Sequence, residues 1–227
     1  MGPELTLYHA THACSTVVQC LLEDVGLPFR VVHMRMGPRG IESVDGSLNR
    51  EQYLEIHPFG YVPCLVTDGL VITEMPAILT YIANLVPEKK LLGDNIVEQS
   101  WALSWAAWLS GALHGRGFGA LFRPERYLDN PTMHQAIRAK GFEFIKECYG
   151  IIEERLQGKT FPIGEHETIV DFNLLIFYFW GLEQSIDMAG EYPNYHKLFT
   201  RMSEKLSVSK VDKFARPALV YHPDEKE

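Results

Sequence analysis

The sequence predicts two units of different class, an α+β unit over residues 1–93 and an all-helical unit over residues 94–227. β-prone and helical runs alternate as far as Gly93, whereas from Ile96 to about Ser209 nearly every segment has helical spacing. An Asp68-Gly69 pair between two β-prone runs marks a hairpin, and so places antiparallel strands in the first unit.

The elements follow in order. Leu5 to Tyr8 reads as a short strand. Thr16 to Val25 has Val17, Val18, Leu21, Leu22 and Val25 at helical steps, and Gly26 stops it. Phe29 to Met34 reads as a second strand, so the order strand–helix–strand suggests a parallel βαβ unit. Gly37 to Ser47, with its Gly and Pro, reads as a loop, and Arg50 to Ile56 as a short polar helix. Val62 to Thr67 and Val71 to Thr73 are the hairpin strands. A helix over Pro76 to Leu85 begins on Pro, whose missing N–H costs nothing there. This arrangement is thioredoxin-like in outline. In the second unit, Trp101, Trp105, Trp108 and Leu109 form a stripe that reads as core packing. Further helices are predicted over Pro131 to Leu156, Ile169 to Glu183 and Tyr195 to Leu206. Thr168 to Asp171 fits a capping box with Asp in place of the usual Glu or Gln. The charged tail Arg216 to Glu227 is expected to fray.

Composition narrows the function. With 46% hydrophobic and 22% charged residues, the chain can bury a core and stay in solution. A net charge of −8 without Lys/Arg runs is a poor match to phosphate backbones, so no nucleic-acid partner is expected. Cys14, Cys20, Cys64 and Cys148 fit neither a zinc site nor a CxxC redox pair, so free thiols and no metal are expected. No apolar run is long enough to span a membrane, and MGPELTLYHA lacks the pattern of a signal peptide. The expectation is a cytoplasmic protein.

Five segments, in order from Leu5 to Val211, carry a resemblance. Ala13-Cys14-Ser15 followed by a helix and Gly26-Leu27-Pro28-Phe29 resembles the ACS motif of bacterial beta-class glutathione transferases. HPFGYVPCL (His57–Leu65) resembles that family's NPxGxVPxL, and TEMPAILTYIA (Thr73–Ala83) its TExxAIxxYLA helix. LHGRGFGALFRP (Leu113–Pro124) resembles its LHKGFxPLFRP with one extra residue, and Thr168–Asp171 its S/T-x-x-D box.

The resemblance implies a glutathione transferase fold, glutathione as co-substrate and a homodimer. Phe59 stands where some classes place an aromatic key for the partner subunit. The family chemistry makes physical sense of the residues. Glutathione is a peptide whose backbone can pair with a strand edge, which Val62 would supply before a cis Pro63. Its γ-glutamyl carboxylate would sit on the Met75 N–H at a helix N-terminus, and Glu74 would take its amine. Arg39 stands where the beta class has a Lys, and is a candidate for the glycyl carboxylate. Cys14 or Ser15, at the start of the first helix, would hydrogen-bond the glutathione sulfur as a thiolate. Cys14 could also exchange disulfides with glutathione, or be a small buried hydrophobe. Aligned from Cys14, the beta-class tyrosine position is His9 rather than Tyr8. His114 matches the beta-class histidine and would polarise the sulfur or a substrate oxygen.

Departures occur at His57 for Asn, Tyr61 for Gln, Met75 for Ser or Gly, Ala107 for Asn and Gly115 for Lys. The last two remove polar groups and suggest an apolar substrate pocket, with Trp108, Phe118, Phe122 and Tyr178 as candidates to line it. The expected activity is addition of the glutathione thiolate to an apolar electrophile, or substitution on it. Two alternatives stay open. One is glutathione-dependent cis–trans isomerisation of a conjugated double bond, in secondary-metabolite synthesis. The other is a non-catalytic binding module.

Overall fold

The computed structural model describes residues 2–211, and the tail expected to fray lies outside the described residues. The chain divides into two compact units. Among the described residues, one comprises residues 2–92 and 202–211, and the other is Gly93–Arg201.

The first unit runs β1 (Leu5–His9), α1 (Ser15–Val25), β2 (Phe29–Gly37), β3 (Gly40–Ser43), α2 (Arg50–Ile56), β4 (Cys64–Thr67), β5 (Leu70–Thr73) and α3 (Met75–Leu85). The strands lie in the order β3-β2-β1-β4-β5. β1 and β2 pair in parallel from Leu5↔Phe29 to His9↔His33, which is the expected βαβ unit. β4 runs antiparallel to both β1 and β5. The fold is thioredoxin-like.

Asp68 and Gly69 have φ of 46° and 80°, the left-handed pair that a tight hairpin needs. One expectation fails: Gly37 to Ser47 is not all loop. β2 continues to Gly37, and β3 returns along it from Gly40 to Ser43. A four-residue edge strand beside Gly and Pro has too few β-prone residues to stand out in sequence.

The apolar steps of α1 and α3 bury Val17, Val18, Leu21, Leu22, Ile78, Leu79 and Ile82 completely. A separate cluster of Val32, Met34, Tyr53 and Cys64, with Tyr8 and Ile56 against it, packs α2 on the sheet. α10 (Leu206–Lys210) packs on α1, where Ser207 Oγ donates to Asp24 Oδ1 at 2.8 Å and Lys205 Nζ lies 3.1 Å from the same oxygen.

The second unit contains α4 (Ile96–Trp108), a π-helical segment (Leu109–Phe118), α5 (Gly119–Phe122), α6 (His134–Leu156), α7 (Ile169–Glu183), α8 (Met188–Glu191) and most of α9 (Pro193–Ser203). α7 is apolar on every side and is its central helix. The capping box forms as expected. Thr168 Oγ1 accepts from Val170 N–H at 3.3 Å, and Asp171 Oδ2 accepts from Thr168 N–H at 2.9 Å. Arg201 Nη2 then donates to Asp171 Oδ1 at 2.6 Å.

The tryptophan stripe is only half core. Trp105 and Leu109 are buried, but Trp101 is 56% exposed and Trp108 is half-buried. The Arg155 guanidinium covers the Trp105 and Trp108 rings at 4.8 and 5.3 Å. Among the described residues, no helix is long and apolar enough to cross a membrane.

Candidate functional site

β1 ends at His9, and a tight turn delivers Cys14 to the start of α1. Ala13 N–H donates to Ala10 O at 3.2 Å, and Thr16 N–H to Ala13 O at 3.0 Å. Cys14 has helical backbone angles (φ −56°, ψ −24°) and a buried side chain, and its Sγ–H donates to Val62 O at 3.6 Å. The fold thus brings Cys14 to the residue before Pro63, from forty-eight positions away.

Ser15, one residue on, faces inward. Its hydroxyl accepts from Ala10 N–H at 3.1 Å, donates to Ala10 O at 3.2 Å and lies 3.0 Å from His9 Nδ1. With its proton on Ala10 O, the hydroxyl must accept from His9, so His9 carries its proton on Nδ1. His9 is pushed down to about 4, first by burial and then by the neighbouring His33 and His12, so it is neutral near pH 7. Ser15 and His9 brace the turn that carries Cys14. Tyr8 lies in the α2 cluster, with its ring 5.3 Å from that of Tyr53 and its hydroxyl pushed up by burial.

The Val62-Pro63 bond is cis, as expected. Pairing stops at Cys64 on both sides, with Tyr8 on β1 and Thr73 on β5, so Val62 stands beyond the ladder as a strand edge. Tyr53 OH donates to Tyr61 O at 2.7 Å and fixes the approach to that edge. The Tyr61 side chain is exposed and stacks on Phe59 at 5.9 Å. Buried His57 accepts from Phe59 N–H at 3.2 Å, and burial lowers its pKa.

Glu74 joins β5 to α3 with φ 68° and ψ 125°. That left-handed backbone is costly for a residue with a Cβ, by about 1 kcal/mol or more, and such strain collects at functional sites. It sets the exposed Glu74 side chain beside the α3 N-terminus, where buried Met75 is the first helical residue. Glu74 is near enough to Cys14 for its charge to disfavour a thiolate there. Burial is the larger cause and pushes the Cys14 thiol up to about 12, against the pull of the Cys14 and Ser15 N–H groups. Cys14 is therefore a neutral thiol at pH 7, able to donate a hydrogen bond. Arg39 stands at the tip of the β2–β3 hairpin and pairs with Glu51 at 2.9 Å.

His114 lies in the second unit, within the π-helical segment. Gly119 N–H reaches back to His114 O, the five-residue step of a π-helix. The extra residue that the resemblance gives LHGRGFGALFRP falls in this segment. An inserted residue would turn everything after it by about 100° on an α-helix, whereas the wider π turn keeps the register. Gly111, Gly115 and Gly117 make this cheap, because glycine contributes little to α-helical stability.

The His114 ring lies 5.3 Å from Trp180 and 6.0 Å from Phe177, and Phe118 and Phe122 complete the cluster around Trp180 at 4.9 and 5.6 Å. Burial first, then Arg126, lowers His114 to about 4, so the ring is neutral. Two of the expected pocket residues lie elsewhere. Tyr178 is buried against His196, Tyr195 and Phe199, and Trp108 sits under Arg155. Phe177 and Trp180 went unread because α7 is apolar all round and shows no preferred face.

A thiol at a helix N-terminus beside a residue preceding a cis-proline, with an open strand edge and an acidic residue at a second helix start, belongs to a thioredoxin-like unit. The comparisons give the family. The model of the glutathione S-transferase N-terminal domain matches residues 13–85, and that of the C-terminal domain residues 118–205. Glutathione S-transferase F10 of Arabidopsis thaliana is 31% identical, over 76% of this chain and 79% of that protein. Glutathione S-transferase GstA of Escherichia coli O157:H7 is 27% identical, over 82% and 87%. A beta-class enzyme of Sphingomonas chungbukensis has a TM-score of 0.77 at 26% identity, over 91% of this chain and 96% of that one. A sphingomonad glutathione S-transferase solved in complex with glutathione has a TM-score of 0.76 at 26% identity, with the same coverage. The chain belongs to the glutathione S-transferase family.

Proposed function

We propose that the first unit binds glutathione along the Val62 edge and that Cys14, as a neutral thiol, activates the glutathione sulfur. The observation that carries this reading is the Cys14 Sγ–H directed at Val62 O. A peptide paired with Val62 has its cysteinyl residue beside that carbonyl. The Cys14 proton then needs only a small rotation to reach the ligand sulfur.

A hydrogen bond to the thiolate lowers its pKa, and the proton leaves to solvent. The thiolate attacks an apolar electrophile, forming a carbon–sulfur bond as a leaving group departs or a double bond is saturated. The γ-glutamyl carboxylate sits on the Met75 N–H at the α3 N-terminus, with Glu74 on the amine. Ser15 acts by holding Cys14 in place. In the second unit, His114, neutral in its aromatic cluster, offers an apolar face, with Phe122 as the other partly exposed member. A resting thiol near 12 disfavours disulfide exchange through Cys14, which needs the thiolate.

The test follows conjugation of a chloro-dinitroarene. Cys14→Ala is expected to lose about ten- to a hundredfold in kcat/KM, the value of one hydrogen bond to a charged group. Cys14→Ser keeps most of the activity. Glutathione is consumed one-to-one with product. Unchanged turnover in Cys14→Ala removes the assignment.

A further inference from the structure

The second unit carries a groove of about 640 Å³ between α4 and residues 158–165, which follow α6. That size suits a small molecule. Glu98, Trp101 and Trp105 line it at three- and four-residue steps on one face of α4, whereas Ile96 and Leu103 lie on another. The opposite wall is held in place. Pro162 and Ile163 are buried, and Arg201 lies over the Phe161 ring at 4.5 Å and donates to Thr160 O. Gly158 and Gly164 have left-handed backbone (φ 71° and 58°), and a Cβ on Gly164 would stand 3.2 Å from Glu98 Oε2. Glycine thus lets the segment turn and approach α4 closely.

The groove collects groups whose bonding capacity is unspent. The Arg155 guanidinium rests on the Trp105 and Trp108 rings. Among the described residues, neither it nor the Lys159 ammonium has an ion pair or a hydrogen bond. Stacking fixes the plane of the guanidinium, so its N–H fork is set for a bidentate anion. Trp101 is exposed and offers an open ring face. Glu98 Oε2 accepts from Asp94 N–H at 2.6 Å, which leaves its other oxygen and the Glu165 carboxylate as acceptors at the same groove.

A simple aryl anion would use the cations and the tryptophan but would leave both carboxylates without a donor. A nucleotide engages all of them. Its phosphate meets Arg155 and Lys159, and its base stacks on Trp101. Its ribose hydroxyls and base amino group donate to Glu98 and Glu165. Two cations with two carboxylates beside them match one phosphate better than a chain of several, and a purine has the larger ring face to stack. We propose that this groove binds a purine nucleoside monophosphate. The proposal is independent of the glutathione reading.

Calorimetric titration of the full chain with adenosine monophosphate tests it, with tryptophan fluorescence as a second readout. Saturable binding at one site per chain is expected, with quenching in step. Adenosine, which lacks the phosphate, and ribose phosphate, which lacks the base, each bind about tenfold or more weaker. Arg155→Gln and Lys159→Gln each narrow the gap between the monophosphate and adenosine while adenosine binds as to wild type. Lys159 is exposed, so Lys159→Gln decides the matter even where Arg155→Gln loses stability by uncovering Trp105. The absence of saturable binding at millimolar monophosphate overturns the proposal. A gap retained whole in both variants also overturns it, because the phosphate would then sit elsewhere. So does naphthoate binding as tightly as the monophosphate, since the groove would then take aryl anions without reading the sugar.

Discussion

Cys14 and Ser15 occupy adjacent positions with opposite surroundings, and their chemistry divides accordingly. Cys14 reaches across to Val62 O, while all the hydrogen-bonding capacity of Ser15 is spent on Ala10 and His9. Ser15→Ala would leave Ala10 N–H and His9 Nδ1 without that partner in a buried place. It is expected to cost about 1–3 kcal/mol of stability, read from denaturant melts. Its kcat at saturating glutathione should fall less than that of Cys14→Ala. The motif made both residues visible in sequence but could not rank them, because the rank depends on where each side chain points. His9 was legible only as a position, and its role as the brace of Ser15 came from the β1–α1 turn, which sets its Nδ1 3.0 Å from the hydroxyl.

At the scale of elements, caps and turns were the most legible features. Asp68-Gly69 and the Thr168–Asp171 box lie where local chemistry put them. Local signals need only neighbouring residues, so sequence carries them whole. β3 and the π-helical segment did not show, since the first depends on pairing with β2 and the second on packing against α6. The π segment meets α6 through glycines: a Cβ on Gly141 would stand 2.8 Å from Gly117 O. Gly141→Ala is expected to lower stability by about 1–3 kcal/mol, measured by thermal and denaturant melts. An unchanged melt would mean that the two helices are not in close contact.

Two opposed titrations bear on the whole molecule. His9 falls from 6.5 to about 4 in the folded state, so its stability contribution is full above pH 6.5 and is lost as pH drops toward 4. His114 acts with the same sign. Asp171 rises from 3.8 to about 6 because burial outweighs Arg201 and the Thr168 bonds. Its contribution is full below 3.8 and is lost as pH rises toward 6. The two effects offset each other on acidification. Asp171→Asn removes the offset, so its Tm should fall more steeply than wild type between pH 6.5 and 4, by scanning calorimetry. Parallel Tm curves would contradict these assignments. α4 bears on assembly: Ile96, Val97, Trp101 and Leu103 are all more than half exposed. The resemblance implies a homodimer, and we propose that these exposed side chains join its two copies. Sedimentation is expected to show a dimer that Trp101→Glu weakens. The passage from a mixed sheet to helices was legible because the change in periodicity at Gly93 is abrupt. The surfaces were not, because a tryptophan stripe reads alike whether it meets its own core or a partner.

The central claim, that the Val62 edge and the α3 N-terminus form a glutathione site, is tested most directly by calorimetric titration with reduced glutathione. The account predicts saturable binding at one site per chain, weakened about tenfold or more in Glu74→Ala, where the ligand amine loses a charged partner. No binding at millimolar glutathione, or equal affinity in wild type and Glu74→Ala, would contradict it.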